Sequence, residues 1–449
     1  MRAAFYTLGC KVNQSETEAL AYSLKKRGFQ LCTIKESADI YIINTCTVTS
    51  KSEQKARKII RFCKKRNNSA LIIVTGCYAQ VNPEALALLD NNILVIPQNK
   101  KDLLLFLLEN LSFTDFSYLT IDDKKKTILS YLYQERKYLQ NHFCFYSDQP
   151  VFHSRAYLKI QDGCDSVCTY CIVPIARGSS VSLSPAEVVN RVSHLQEKGY
   201  REIVLTGVNI TSYYYNNDNF FTLLEKILPV LNNSRIRLSS LEPNKIDKDL
   251  TNILTNERIC PHFHIPVQSG SDRILKTMQR CYTTDTLRKA VRLLKAARPE
   301  SFLGADILVG YPGEEQQDFL LTKKLLLECE FSNLHVFKYS PRPDTIAYNK
   351  RNTHPEWKIK KRAKELLQIS QELYKKYCLK WLGKNVEAVL VRNNDKLIEQ
   401  KDTWEGLSAN YLKLLIHDMP KDKAKWDQLV SCVIDKSGNP CVARFLSFL

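Results

Sequence analysis

The chain has 449 residues, of which 44% are hydrophobic and 25% charged, a composition typical of folded globular proteins that excludes extensive disorder. Its length favours roughly three domains. Lys and Arg outnumber Asp and Glu by 65 to 47, which gives a formal net charge of +18. We therefore expect an anionic partner, with nucleic acid the first candidate and an anionic membrane surface the second.

The sequence offers no apolar run of the roughly 18 residues that a membrane helix requires. Residues 1–10 lack the long apolar region of a signal peptide. We expect a cytoplasmic protein without membrane attachment, in a compartment where thiols stay reduced. The 15 Cys residues are then expected to bind metal or fill the core rather than form disulfides.

Short apolar strands alternate with longer helical patterns from the N-terminus to about residue 340, which indicates parallel α/β architecture. The first domain is predicted over residues 1–145, with strands at Ala3–Leu8, Asp39–Asn44, Leu71–Thr75 and Ile93–Ile96. The second is predicted over residues 146–378, with strands at Ala156–Gln161, Glu202–Thr206, Arg235–Leu241, Phe263–Val267, Phe302–Val309 and Leu334–Tyr339. Six such βα units form either a partial barrel or an open parallel sheet, with right-handed crossovers.

The pattern changes after a long basic helix, which is predicted from Glu356 to Trp381. Short alternating strands with turn residues between them follow, at Val386–Val391, Tyr411–Ile416, Leu429–Ile434 and Cys441–Phe445. This alternation predicts a small antiparallel β-barrel over residues 379–449.

Three closely spaced cysteines, Cys164, Cys168 and Cys171, form a C-x₃-C-x₂-C motif directly after a predicted strand. Three thiolates can hold three irons of a 4Fe-4S cluster and leave the fourth iron free. That iron can be chelated by the amino and carboxylate groups of S-adenosylmethionine, and the cluster can then reduce the sulfonium. The alternative is a zinc site or a group of buried thiols, but zinc normally takes four ligands and a fourth is not evident nearby.

A second set of cysteines is separated in sequence but shares one position relative to the strands. Cys10, Cys46 and Cys77 each follow a predicted strand of the first domain. If these strands are parallel neighbours, the three thiols emerge at one edge of the sheet and can hold a second cluster. On geometry alone, small residues in tight turns beside Gly9 and Gly76 explain the pattern equally well.

At these cysteines the chain resembles the methylthiotransferase family of radical S-adenosylmethionine enzymes. The segments that carry the resemblance are Thr7-Leu8-Gly9-Cys10-Lys11-Val12-Asn13-Gln14, Asn44-Thr45-Cys46-Thr47-Val48-Thr49, Thr75-Gly76-Cys77-Tyr78-Ala79-Gln80 and Gly163-Cys164 through Arg177-Gly178. Gly-Cys-Lys-Val-Asn is similar to the threonylcarbamoyladenosine tRNA branch. The isopentenyladenosine branch usually has Gly-Cys-Gln-Met-Asn there, and the ribosomal-protein branch has Gly-Cys-Pro-Lys-Asn.

The resemblance implies a reaction that adds a methylthio group to an adenine carbon of the modified adenosine beside the tRNA anticodon. It implies a radical domain built as a partial (β/α)6 barrel, with its 4Fe-4S cluster on Cys164, Cys168 and Cys171. It further implies an auxiliary 4Fe-4S cluster on Cys10, Cys46 and Cys77. The last domain would be an OB-like, RNA-binding barrel of the TRAM type. Such a reaction needs S-adenosylmethionine, a tRNA anticodon stem-loop, an electron donor such as a flavodoxin or ferredoxin, and a sulfur donor.

Several strand ends resemble family segments that lie near S-adenosylmethionine. The resemblance suggests a set of cofactor-binding residues at these strand ends, namely Thr206, Gly207, Ser240, Glu242, Gln268, Arg280 and Asp306. Tight loops and helix caps explain any single one of them equally well.

Two positions depart from the family pattern. Cys281 stands where relatives usually have a basic residue, which leaves Arg280 as the expected cation, and Asp344 replaces a usual glycine and puts the shape of its loop in doubt.

Two basic runs and the last domain are candidates for RNA contact. The first run, residues 55–66, has apolar residues at helical spacing, and it follows Cys46. The second covers residues 358–362. A solvated surface is the usual explanation of such runs. In the last domain, the candidates for phosphate contact or base stacking are Arg392, Lys396, Lys401, Trp404 and Tyr411.

Three functions are compatible with the sequence. The first is methylthiolation of threonylcarbamoyladenosine in tRNA. The second keeps the chemistry but changes the substrate to isopentenyladenosine tRNA or a ribosomal protein. The third is a non-catalytic iron–sulfur or zinc RNA-binding protein, which leaves the open iron, the six βα units and the second cysteine set without explanation.

Overall fold

The computed structural model describes residues 1–110, 118–134, 140–149, 151–350, 354–391, 403–420 and 424–449. Its first part is a five-stranded parallel sheet in the order β2-β1-β3-β4-β5. The strands are β1 (Arg2–Thr7), β2 (Gln30–Cys32), β3 (Ile40–Thr45), β4 (Leu71–Gly76) and β5 (Ile93–Pro97). The helices are α1 (Lys11–Lys26), α2 (Ser50–Arg66), α3 (Cys77–Val81), α4 (Pro83–Ala87), α5 (Lys101–Asn110) and α6 (Ile121–Gln134).

The two central strands of this sheet, β3 and β4, are buried along their whole length. Helices α1, α5 and α6 cover one face of the sheet, and α2, α3 and α4 cover the other. Strands enclosed on both faces have no solvent side, so their sequences read as continuous apolar runs. The predicted strands are confirmed to within about two residues, while the short edge strand β2 was missed because three residues carry little periodicity.

The second part contains six parallel strands in sequence order. They are β6 (Ala156–Lys159), β9 (Glu202–Thr206), β12 (Arg235–Leu238), β13 (His262–Gln268), β14 (Phe302–Val309) and β15 (Asn333–Lys338). Two three-stranded sheets, β12-β9-β6 and β13-β14-β15, are joined by isolated bridges from Ile236 to Ile259 and from Ser240 to His264. The result is a curved, six-stranded partial barrel rather than one flat sheet.

Helices pack on the outside of this partial barrel, and short hairpins lie at its ends. The hairpin strands are β7 (Gln161–Asp162), β8 (Val181–Ser182), β10 (Tyr214–Tyr215) and β11 (Asp218–Asn219). The helices are α7 (Val173–Arg177), α8 (Pro185–Glu197), α9 (Phe220–Ile227), α10 (Lys248–Ile253), α11 (Asp272–Thr277), α12 (Thr284–Ala297), α13 (Gln316–Glu328) and α14 (Glu356–Leu379). Apolar residues of the strands and of the surrounding helices form one continuous core.

The C-terminal part is a closed five-stranded barrel in the order β16-β17-β18-β20-β19. Its strands are β16 (Asn385–Leu390), β17 (Thr403–Ser408), β18 (Lys413–His417), β19 (Leu429–Lys436) and β20 (Cys441–Phe448). The predicted barrel is confirmed, with two corrections. Strand β17 was missed, and β18 pairs with β20 in parallel, because closing five strands into a ring forces two same-direction strands together. In the described part of the chain, no helix is long and apolar enough to cross a membrane.

The C-terminal barrel is docked on the partial barrel through a buried polar contact. The Arg237 guanidinium donates hydrogen bonds to the carbonyls of Ser408 (3.0 Å) and Ala409 (3.1 Å). The Tyr411 ring lies 3.9 Å from the His262 ring. These contacts fix the small barrel against strand β12 and the first residue of β13.

Candidate functional site

The loop of Cys164, Cys168 and Cys171 begins at a sharp turn after β7. Gly163 has φ of +67°, and a Cβ at this position would lie 1.9 Å from the Ser179 carbonyl oxygen. A glycine is therefore required to bring the loop this close to the neighbouring backbone. The Cys164 amide donates a 3.0 Å hydrogen bond to the Gly178 carbonyl, and the Cys171 amide donates one of 3.0 Å to the Cys168 carbonyl. These two backbone hydrogen bonds hold the loop in a compact conformation, and its three thiols lie on one short segment.

Burial dominates the electrostatics of these thiols. It raises the pKa of Cys171 to about 12 and also raises the pKa of Cys168. The Arg280 guanidinium, which donates a 3.0 Å hydrogen bond to the Cys168 sulfur, opposes the second shift. In the free protein the Cys168 and Cys171 thiols therefore stay protonated, and metal binding must release these protons.

Cys10, Cys46 and Cys77 follow the adjacent parallel strands β1, β3 and β4. Gly9 has φ of +104°, and a Cβ there would lie 3.0 Å from the Cys46 Cβ, so the first two loops touch. Cys46 and Cys77 are buried and Cys10 is exposed. Burial, followed by the neighbouring Cys77 thiolate, raises the pKa of Cys46 to about 12.

The donor chemistry of both triads fits a cluster better than a single metal ion. A tetrahedral zinc ion with Zn–S bonds of about 2.3 Å needs thiolates about 3.8 Å apart. Among the described residues, neither cysteine triad has all three Sγ atoms within 4.8 Å of one another. Wider spacing suits a cluster, because each thiolate then binds a different iron.

The two triads are tied together by Asn13 and Arg177. The Asn13 side-chain amide donates hydrogen bonds to the carbonyls of Leu8 (2.7 Å) and Thr45 (3.0 Å), the residues just before the Cys10 and Cys46 loops. Its oxygen accepts a 2.5 Å hydrogen bond from Arg177, which follows the Cys164 loop. Helix α3, which begins at Cys77, also packs against α7, which ends at Arg177.

A network of buried charged side chains surrounds the hydrogen bond between Asn13 and Arg177. The Glu16 carboxylate lies 2.6 Å from the Lys101 ammonium, 3.1 Å from that of Lys159 and 3.1 Å from the Arg177 guanidinium. The Asp162 carboxylate lies 2.9 Å from Lys159 and 2.8 Å from Arg177. Although burial raises it, the three cations together hold the pKa of Glu16 well below its ordinary range. Sequence reasoning missed this network, because its members come from separate elements.

Two of the predicted cofactor residues, Glu242 and Arg280, line a cavity of about 190 Å³ together with Cys168 and Cys281. The Arg280 guanidinium donates hydrogen bonds to the Glu242 carboxylate and to the Cys168 sulfur. A charged pair beside the triad can bind the amino and carboxylate groups of an amino-acid ligand. Cys281 is exposed at this cavity.

The other predicted cofactor residues lie at strand ends or inside the barrel. Thr206 ends β9, and a Cβ added to Gly207 would lie 2.8 Å from the Gln161 side-chain oxygen. Gln268 ends β13 with φ of +61°. Ser240 forms the backbone bridge to β13 noted above.

Asp306 is paired with two histidines that sequence reasoning missed. One of its oxygens lies 2.8 Å from the His264 ring and 3.3 Å from the His335 ring. The three side chains stand on adjacent strands β13, β14 and β15. Successive side chains of a strand point to opposite faces of the sheet. The neighbouring residues Ile265, Ala305 and Ile307 point into the core shared with the outer helices, so the Asp306 and histidine side chains face the interior of the barrel.

A second group of charged residues lies beside the interior of the partial barrel. Glu202 is shared by three guanidinium groups, those of Arg155 (3.2 Å), Arg235 (2.9 Å) and Arg237 (2.7 Å). Lys11 at the start of α1 is only partly buried and lies within electrostatic range of Arg155, Arg237 and Glu202. Burial and then Arg155 and Arg237 lower the pKa of Lys11 to about 8.

The candidate RNA-binding residues have mixed outcomes. In the first basic run, residues 55–66 of α2, five cations are exposed, namely Lys55, Lys58, Arg61, Lys65 and Arg66. Arg362 of the second basic run is buried and paired with Glu314. The interpretation of Tyr411 as a base-stacking residue is wrong, because its ring already packs against the His262 ring at 3.9 Å, tilted by 34°. Trp404 packs against Trp426 at 4.5 Å, while residues 392, 396 and 401 lie outside the described part of the chain.

Comparison with known proteins agrees with this architecture. Residues 2–96 match the family described as "Uncharacterized protein family UPF0004", and residues 158–326 match the radical SAM superfamily. The structure of the radical S-adenosylmethionine methyltransferase TsrM from Kitasatospora setae is similar, with a TM-score of 0.52, 13% identity and 77% of each chain covered. At that identity the likeness shows a shared fold.

Curated relatives are similar over most of their length. The threonylcarbamoyladenosine tRNA methylthiotransferase MtaB of Aquifex aeolicus is 36% identical, over 89% of this chain and 95% of its own. MtaB of Bacillus subtilis is 35% identical, over 92% and 89%. The tRNA-2-methylthio-N(6)-dimethylallyladenosine synthase of Protochlamydia amoebophila is 33% identical, over 89% and 88%. With its two cysteine triads on a radical SAM fold, this chain is a methylthiotransferase that belongs to the MtaB-like family of radical S-adenosylmethionine enzymes.

Proposed function

We propose that this methylthiotransferase acts on tRNA, at carbon 2 of N6-threonylcarbamoyladenosine beside the anticodon. The relatives named MtaB, at 32–36% identity in six organisms, support this substrate. Two relatives named for dimethylallyladenosine, at 33% and 31% identity, lie near the lower end of that range. The net charge of +18 suits a tRNA partner, and we propose the cytoplasm as the site of action because tRNA is found there.

The observation that carries the proposal is the tie between the two cysteine triads through Asn13 and Arg177. Replacing a hydrogen on one adenine carbon by a sulfur group requires hydrogen removal and sulfur delivery at the same atom. A chain that performs both steps must therefore hold its two reactive centres in a fixed relation. Asn13 supplies that relation, because it donates hydrogen bonds to the carbonyls of Leu8 and Thr45, just before Cys10 and Cys46, and accepts one from Arg177, which follows the Cys164 loop.

We propose that Cys164, Cys168 and Cys171 hold one 4Fe-4S cluster and that Cys10, Cys46 and Cys77 hold another. When bound, the first supplies the electron that cleaves S-adenosylmethionine, and the second supplies a metal-bound reservoir for sulfur. Glu242 and Arg280 would bind the amino and carboxylate groups of the methionine moiety, with Thr206, Gly207, Ser240 and Gln268 around the rest. Asp306, held by its two histidines, would face the substrate space.

We propose that three domains have separate roles. Residues 1–145 hold the auxiliary cluster, residues 146–378 form the radical domain, and residues 379–449 bind RNA. The exposure of Cys10, beside the buried Cys46 and Cys77, gives a sulfur donor one accessible edge of the auxiliary site. The exposed cations of α2 start close behind Cys46 and would contact tRNA phosphates. An electron donor such as a flavodoxin or ferredoxin would have to reach the radical domain.

The test is anaerobic reconstitution, with iron and sulfide counted and tRNA nucleosides identified by mass spectrometry. About eight irons per chain and methylthiolated threonylcarbamoyladenosine are expected. Cys168→Ala should abolish cleavage of S-adenosylmethionine, while Cys46→Ala should keep cleavage and lose sulfur insertion. Cys63→Ala, at a buried thiol of the core, is the matched control and should keep both activities. Methylthiolation of isopentenyladenosine alone would show that the substrate is wrong, and about four irons would show that the second cluster is wrong.

A further inference from the structure

The interior of the partial barrel carries more positive than negative charge at one place. Three guanidinium groups, from Arg155, Arg235 and Arg237, share the buried carboxylate of Glu202, and Arg235 also lies 3.9 Å from the exposed carboxylate of Glu387. All three side chains and Glu202 are largely buried. Lys11 adds a fourth cation within electrostatic range of this group. Such an excess of buried positive charge is costly unless an anion offsets it.

Lys11 is the member of this group that is open to a ligand. It is the first residue of α1, the helix that packs along β6 and so borders the barrel interior. Within the described part of the chain, its ammonium forms no ion pair and no hydrogen bond. The side chain is surrounded by protein yet keeps partial solvent access. Glu202 lies within electrostatic range of Lys11, but it is already hydrogen-bonded to three guanidinium groups and forms no ion pair with the Lys11 ammonium.

A neighbouring polar group also lacks a partner. His262 is 3% exposed, and its Nδ1 has no hydrogen-bond partner among the described residues. The ring lies within electrostatic range of Lys11 and Arg237. The interior therefore combines an unpaired cation with an unused polar atom, which together can bind an anionic group that also carries hydrogen-bonding atoms.

We propose that Lys11 binds the carboxylate of the threonylcarbamoyl group and thereby selects this adenosine over one with an apolar N6 substituent. This inference rests on the proposed function. The threonylcarbamoyl group carries a free carboxylate, a hydroxyl and amide groups, whereas an isopentenyl group is a hydrocarbon that could not offset buried charge. Lys11 directly follows Cys10, so this contact would hold the base next to the auxiliary cysteine loop.

The first test uses the wild-type protein. Its affinity is measured for anticodon stem-loops that carry threonylcarbamoyladenosine, the methyl ester of that group, or unmodified adenosine. Binding to the free carboxylate should be about tenfold tighter than binding to the ester. Equal affinity for the acid and the ester would overturn the inference, and it would leave the proposed reaction untouched if the acid is still methylthiolated.

The second test compares Lys11→Gln with Lys25→Gln, a change at an exposed lysine near the far end of the same helix. Lys11→Gln should lose the tenfold preference for the acid over the ester, with iron and sulfide content unchanged, while Lys25→Gln should retain it. If Lys11→Gln weakens binding of the acid, the ester and unmodified adenosine equally, Lys11 contacts a backbone phosphate and the inference is wrong. If wild-type protein methylthiolates only isopentenyladenosine, the proposed function fails as well.

Discussion

The Arg177 guanidinium donates a 2.5 Å hydrogen bond to the side-chain oxygen of Asn13, and this one contact joins the Cys164 loop to the Cys10 loop. Arg177 lies one residue before Gly178, whose carbonyl accepts a hydrogen bond from the Cys164 amide. Asn13 lies three residues after Cys10 on α1. A shift of either residue would therefore change the distance between the two triads.

Arg177→Met should destabilise the protein and uncouple the two half-reactions. Removal of Arg177 leaves Lys101 and Lys159 to pair with Glu16 and Asp162. It also takes the hydrogen-bond donor from the buried Asn13 oxygen, and a buried acceptor without a partner costs about 1–3 kcal/mol. The thermal unfolding midpoint should fall, and sulfur insertion should decrease more than cleavage of S-adenosylmethionine. Arg292→Met, at an exposed site on α12, is the control. An unchanged ratio of the two activities would show that Arg177 does not couple the triads.

Cys281→Ala should leave the metal content unchanged. Cys281 shares a cavity with Cys168, but it is exposed and belongs to neither triad. The reconstituted variant should hold about eight irons per chain, like the wild type. A loss of about four irons would make Cys281 a cluster ligand and would contradict the assignment of Cys168.

Asp344→Gly should raise stability slightly. Asp344 has φ of +65°, a left-handed conformation that costs most residues about 1–2 kcal/mol and glycine far less. The thermal unfolding midpoint of the glycine variant should therefore rise, by an amount that corresponds to at most about 1 kcal/mol. Asp344→Val should lower it, because a branched Cβ fits this conformation poorly. The opposite order of the two unfolding midpoints would mean that contacts of the Asp344 side chain, rather than its backbone conformation, determine the shape of the loop.

Lys58→Glu combined with Arg61→Glu should weaken tRNA binding. Both residues are exposed on α2 and lie three positions apart, so they share one face of the helix. Each lost phosphate contact should reduce the slope of log affinity against log salt by about one. The control is Lys289→Glu, at an exposed position of α12 on the outside of the barrel. Equal affinity of the double variant and the control would exclude α2 from the interface.

The sequence by itself determined the architecture and both cysteine triads. The strands of parallel sheets are enclosed by helices on both faces, so runs such as Ile40–Thr45 are apolar throughout and easily recognised. Loops that follow parallel strands share one sheet edge, and this rule together with the family resemblance predicted that Cys10, Cys46 and Cys77 lie together. The spacing of Cys164, Cys168 and Cys171 needed no tertiary information, because the three lie in one short segment.

Only the tertiary structure decided what surrounds these cysteines. Asn13 pairs with Arg177, and Asp306 pairs with His264 and His335. These partners are far apart in sequence, so no local sequence pattern predicts them. Tyr411 was wrongly interpreted as an RNA-stacking residue because an aromatic residue on a small barrel has the same sequence signature whether it faces solvent or a neighbouring domain. Which charges remain unpaired, as Lys11 does, depends on every side chain packed around them, and only the folded chain fixes that arrangement.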